Sequence, residues 1–170
     1  GWRWVTDAVH RRGGRIFLQL WHVGRVGHCS LRADASPPVG PSTIGLQNDR
    51  VPVLDGNGEP VLVRCDPPRA LRTEEIRAIV GDFARAAGNA IAAGFDGVEI
   101  HAANGYLFDQ FRCPYLNDRA DEYGGATRKR WRFLLETVAA VARAVGSERV
   151  GVRISPLGTA HEMQPDPAPL

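Results

Sequence analysis

The sequence holds only three cysteines, Cys29, Cys65 and Cys113, widely spaced and without a C-x-x-C pair. That excludes a disulfide framework and argues against a zinc site built on paired thiolates, and such sparse usage fits a reducing cytoplasm. His22 and His28 have no ordered set of carboxylate or thiolate companions in the sequence, so no metal is expected. No apolar run approaches the roughly 20 residues that a membrane span requires, and the N-terminus lacks the apolar core of a signal peptide. Net charge is only +2, with both signs interleaved, so neither nucleic acid nor an anionic membrane is singled out as a partner. The one basic run, Arg128-Lys129-Arg130, reads as the solvated first turn of a helix. Gly124-Gly125 lacks the lysine and the spacing of a phosphate loop.

What remains is an ordinary globular composition of 170 residues, 44% hydrophobic and 24% charged. That is enough for one core, and residues 1–170 read as a single domain. Val5, Ala8 and Val9 share a helical face that Gly13-Gly14 terminates. From Arg15 to His22 the alternation is that of a strand, with Ile16, Leu18 and Leu20 on one side and Phe17, Gln19 and Trp21 on the other. Residues 23–72 are rich in proline and glycine. Within them, Asp55-Gly56-Asn57-Gly58 between two β-branched runs predicts a hairpin, so this long segment reads as a structured lid.

Thr73 is placed to cap a helix whose stripe is Ile76, Ile79, Val80, Phe83, Ala87, Ala90 and Ile91, closing at Gly94. A short strand follows through Val98 and Ile100 and breaks at Asn104-Gly105, which favours a turn. Thr127 can cap a third helix that Gly146 ends, and residues 150–155 form the last strand. Beyond Pro156 no pattern is assignable. Helices alternating with strands predict an α/β fold with parallel strands joined by right-handed crossovers.

Each strand has one aliphatic face, and the opposite faces carry Gln19 and Trp21, Glu99 and His101, Arg153 and Ser155. Parallel sheets are nearly always covered on both sides, so polar groups near C-terminal strand ends suggest a ligand site at a barrel mouth or a switch point. His101, Asn104 and Tyr106 crowd one such end. An imidazole, an amide and a phenol can donate hydrogen bonds to one ligand, which suits a polarised carbonyl. Each also has a plainer reading: a structural histidine, a turn, a half-buried aromatic, a core amide at Gln19, an Arg153–Glu99 ion pair, simple packing at Trp21.

Taken together, residues 19–25 (QLWHVGR), 101–111 (HAANGYLFDQF), 121–125 (DEYGG) and 150–156 (VGVRISP) resemble the old yellow enzyme family. The resemblance implies a parallel (β/α)₈ TIM-barrel type fold, FMN as cofactor and NAD(P)H as reductant. It implies flavin contacts for Gln19 and Arg153, binding of the substrate carbonyl by His101 and Asn104, proton donation by Tyr106 and a pocket wall at Trp21. The substrate would be an activated alkene such as an enone. Such a barrel takes about 250 residues and eight strands, whereas three are found. A partial barrel, a central piece of the family's fold, is therefore expected, with two strands before it and three after, the latter carrying the flavin phosphate site. Its open edges would favour pairing with a second copy. Two alternatives stand beside this reading: a related flavoenzyme of the dienoyl-CoA reductase or amine dehydrogenase type, and a catalytically silent half-barrel.

Overall fold

The computed structural model describes residues 1–164; Pro165, Pro167 and Pro169 lie outside the described residues. Helix α1 (Trp2–His10) leads into strand β1 (Phe17–Leu20). The lid contains β2 (Val39–Gly40), β3 (Arg50–Leu54), β4 (Pro60–Arg64) and β5 (Arg69–Ala70). Helix α2 (Thr73–Ala92), strand β6 (Gly97–Ala102) and helix α3 (Leu107–Arg112) follow. The chain continues through α4 (Thr127–Arg130) and α5 (Arg132–Val145) to strand β7 (Val150–Ile154).

Strands β1, β6 and β7 form one parallel sheet in that order. Leu18 pairs with Val98, Gln19 with Glu99, Ile100 with Val152 and His101 with Arg153. Residues in register across a sheet point to the same face, so the aliphatic and polar faces deduced from alternation are real. The aliphatic face meets α2 and α5. There Val98, Ile100 and Phe133 are fully buried and Leu20 nearly so, each apolar side chain contributing roughly 1.5–3 kcal/mol. Val152 and Ile154 share this face but stay half-exposed on the edge strand.

The polar face is open, contrary to the expectation of a sheet covered on both sides: Phe17, Gln19, Trp21 and Arg153 are exposed. Eight strands are needed to close a barrel over its inner face, and among the described residues three belong to this sheet. The arrangement is an α/β fold on a three-stranded parallel sheet, as a partial barrel would have.

Several local expectations need correction. Arg72, not Thr73, holds the N-cap of α2, where its N–H donates to the Glu75 carboxylate at 2.8 Å. The Thr73 hydroxyl instead donates to Asp121 at 3.3 Å. Ala126, not Thr127, precedes α4. Arg130 is buried rather than solvated, because its guanidinium donates to the carbonyls of Arg112 and Gly125, both at 2.6 Å. Helix α1 leaves Val5 exposed, since it docks on the end of α2 through Thr6, whose buried hydroxyl donates to the Ala93 carbonyl at 2.8 Å. Strands β2 and β5 pair in parallel, a contact too short to show any alternation in sequence. The hairpin of β3 and β4 is antiparallel as expected, closed by the Asp55–Gly58 turn.

Candidate active site

The end of β6 is built by two consecutive left-handed residues. Asn104 has φ 55° and Gly105 φ 76°, a pairing that Asn-Gly adopts readily. A Cβ on Gly105 would lie 2.7 Å from the Ala160 carbonyl oxygen, so glycine is needed for space as well as conformation. Asp109 holds the turn from beneath. One carboxylate oxygen accepts from the Gly105 N–H at 2.9 Å and the other from Arg112 at 2.7 and 2.9 Å. The Asn104 N–H donates to the Ser155 hydroxyl at 2.7 Å, tying the turn to the segment after β7.

This turn brings the rings together. Tyr106 stands edge-on to Trp21 at 4.8 Å and to His101 at 5.2 Å, and Trp21 lies 6.2 Å from His101. His101 is buried, and its Nδ1 accepts from the Ala103 N–H at 3.2 Å. That bond leaves the ring proton on Nε2. Burial, and then the positive Arg153 beside it, lower the His101 pKa from its ordinary value, against opposing pulls from Glu99 and Asp109. The imidazole is therefore a neutral donor at pH 7. Burial also raises the Tyr106 phenol, helped by Asp49, so it keeps its proton.

Along the open face of the sheet, the Gln19 amide donates to Glu99 at 2.5 Å. Among the described residues the alternative Arg153–Glu99 ion pair does not form, and the exposed Arg153 side chain makes no hydrogen bond or ion pair. In register with Gln19 across Glu99, Gly151 adds no side chain to this face, and a Cβ there would meet nothing closer than 3.8 Å, the Glu99 side chain coming next at 3.9 Å. An amide, a guanidinium and the side-chain-free position at Gly151 leave, beside the Glu99 carboxylate, an open face, a platform that a planar heteroaromatic ring can lie on. Among the described residues the side chains of Asn104 and Tyr106 make no hydrogen bond, nor does Nε2 of His101. Three donors are thus left for a ligand.

Beside the platform is a cavity of about 620 Å³, walled by Trp21, His22, Tyr106 and His161 and by Val26, Pro38 and Arg50 of the lid. His101 packs against Trp21 and Tyr106, and neither it nor Asn104 lines the cavity. Burial lowers the His22 pKa as well.

Four contributions were not foreseen. His161, in a segment without pattern, lies 5.0 Å from Tyr106 and bonds Asp49 of the lid at 2.7 Å. Glu162 accepts from the lid N–H groups of Gln47 and Asn48 at 2.8–3.1 Å. His28, read as lacking companions, has two: Cys29 beside it and Asp66, carried back to it by the hairpin. Asp109 lies within the quoted motif, and its role became visible only with the turn it supports.

Residues 1–166 match the NADH:flavin oxidoreductase / NADH oxidase family. 12-oxophytodienoate reductase 2 of Arabidopsis thaliana is 49% identical over 155 residues, which are 91% of this chain and 40% of that protein. The putative 12-oxophytodienoate reductase 4 of Oryza sativa subsp. japonica is 48% identical over 155 residues, 91% of this chain and 38% of that protein. A solved structure of morphinone reductase in complex with tetrahydroNAD superposes with a TM-score of 0.95 at 46% identity, over 98% of this chain and 46% of that one. The chain thus spans about two-fifths of the length of the curated relatives it matches.

Proposed function

We propose, from the premise that this chain belongs to the NADH:flavin oxidoreductase / NADH oxidase family, that its site reduces the C=C bond of an activated alkene with FMN and NAD(P)H. The observation that carries the reading is the gathering of unbonded donors at His101, Asn104 and Tyr106 beside the open platform of Gln19, Gly151 and Arg153. The likeness to reductases of 12-oxophytodienoate and morphinone supports an enone as substrate.

The platform residues fit a flavin. Gln19 offers an amide to the ring edge, Arg153 a positive charge where a reduced ring is anionic, and Gly151 leaves room for the plane. The chemistry that FMN supplies when bound is hydride transfer, from NAD(P)H to the β-carbon of the alkene. Everything else falls to the side chains. As hydride arrives, negative charge grows on the substrate's carbonyl oxygen, and the neutral Nε2–H of His101 and the Asn104 amide donate to it. Removing one such donor typically costs on the order of 10²–10³ in rate. Tyr106 then gives its proton to the α-carbon, a general-acid step of the order of 10²–10⁴. Trp21 forms a wall that holds the alkene against the platform. The three cysteines are free, which supports a reducing compartment. Among the described residues no helix is long and apolar enough to cross a membrane.

Tyr106→Phe separates the two halves of the reaction. Rapid mixing of the flavin-loaded chain with NAD(P)H and then with a simple enone should show alkene reduction slowed by about 10²-fold or more, with flavin reduction unchanged. Equal slowing of both halves would remove Tyr106 from the proposed role.

A further inference from the structure

We propose that His28, Cys29 and Asp66 bind a zinc ion that joins the two ends of the lid. An imidazole nitrogen, a thiol sulfur and a carboxylate oxygen, one from each residue, all lie within 4.8 Å of one another. The donors come from opposite ends of the lid. His28 and Cys29 stand at its start, beside the 3₁₀ turn Cys29–Leu31, and Asp66 just after β4.

The backbone already holds them in place. The Asp66 N–H donates to the Gly27 carbonyl at 2.9 Å, and the Asp66 carboxylate accepts from the Cys29 N–H at 2.6 Å. Nδ1 of His28 is engaged by Ser30, whose N–H lies at 3.2 Å and whose hydroxyl lies at 2.8 Å. That orients Nε2 toward Asp66, whose Oδ1 is 3.7 Å away. This is too long for a hydrogen bond. While Nδ1 accepts from the Ser30 N–H the ring proton sits on Nε2, so ligation through Nε2 moves that proton to Nδ1, which then donates to the Ser30 hydroxyl in place of accepting from its N–H. Two ligands of a tetrahedral zinc, each about 2.1 Å from the ion, lie roughly 3.4 Å apart, so the His28–Asp66 pair needs only a small contraction, while the Cys29 sulfur, 4.0 Å from Nδ1, has to turn toward Nε2.

The donor set selects the ion. Calcium and magnesium take oxygen ligands, whereas one sulfur, one imidazole nitrogen and one carboxylate suit zinc. Three protein ligands leave a fourth position for water, as in open zinc sites. His28 also lines the 620 Å³ cavity, so the ion would stand at its rim and hold the lid over it. Binding requires the thiolate. Uptake therefore breaks the S–H bond, forms a sulfur–zinc bond and releases one proton to solvent. The inference does not depend on the flavin reading, because it concerns metal affinity and not turnover.

Cobalt(II) makes the sulfur ligand visible. Titration of the 170-residue chain with Co²⁺ should give a saturable sulfur-to-cobalt charge-transfer band at one equivalent, which Zn²⁺ abolishes. Cys29→Ser should lose the band, His28→Gln and Asp66→Asn should weaken binding by about tenfold or more, and Cys65→Ser and Cys113→Ser should leave it intact. Far-ultraviolet circular dichroism checks that each variant is folded. On the unaltered chain, Zn²⁺ should also protect Cys29 from alkylation, read by peptide mass spectrometry. Absence of the band, its survival in Cys29→Ser, or alkylation of Cys29 unaffected by Zn²⁺ would each overturn the site.

Discussion

His101 owes its chemical state to its surroundings more than to its own titration. It is buried beside Arg153, and its Nδ1 is taken by the Ala103 N–H, so the neutral ring presents Nε2–H outward. Because its folded pKa lies below the ordinary value, the unfolded chain binds more protons in the interval between the two. Stability is therefore full above about pH 6.5 and falls as pH drops from there toward the lowered folded value. His22, lowered by burial as well, acts in the same direction. Urea unfolding at pH 7 and at about pH 5 should show this loss, and His101→Gln should make it smaller. An acid loss unchanged by the substitution would mean that His101 is not buried as a neutral ring. At this scale the sequence was informative where residues sit in register: Gln19, Glu99, His101 and Arg153 fell on one face by alternation alone. It was silent on Asp66 and His161, which come to their partners through turns that leave no periodic trace.

Among the elements, β6 is central, since it pairs on both sides and lies under α2 and α5. Ile100 is fully buried at its middle. Ile100→Ala should cost about 2–5 kcal/mol in chemical denaturation, whereas the same truncation at half-exposed Val152 should cost much less. Comparable losses at the two positions would mean that the edge strand is as well covered as the centre. The apolar stripes of α2 and α5 and the alternation of the strands were legible because burial on one face imposes a period. Helix starts were less so. Thr73 and Thr127 are good capping residues by type, yet Arg72 and Ala126 occupy those positions, because Thr73 is engaged by Asp121 and the Glu75 carboxylate already serves the Arg72 N–H. The buried Arg130 was misread for a similar reason: a basic run shows its charge in the sequence and not the carbonyls waiting to receive it.

For the whole molecule, the decisive feature is the open polar face of the sheet, flanked by a lid that is tied down at His161 and Glu162. Family, parallel sheet and lid hairpin could all be anticipated, because four motifs and one turn signal carry them. The openness of the face was the less favoured of two readings, a half-exposed sheet with a wet polar face, since strand alternation shows which residues share a side and not what covers it. The central claim is that this face is a flavin platform. Titration of the 170-residue chain into FMN, followed by flavin fluorescence, tests it most directly. The account predicts saturable binding that Arg153→Ala weakens by about tenfold or more, the worth of a hydrogen bond to a charged group, and that Gln19→Ala also weakens. No saturable binding, or binding indifferent to both substitutions, would contradict it.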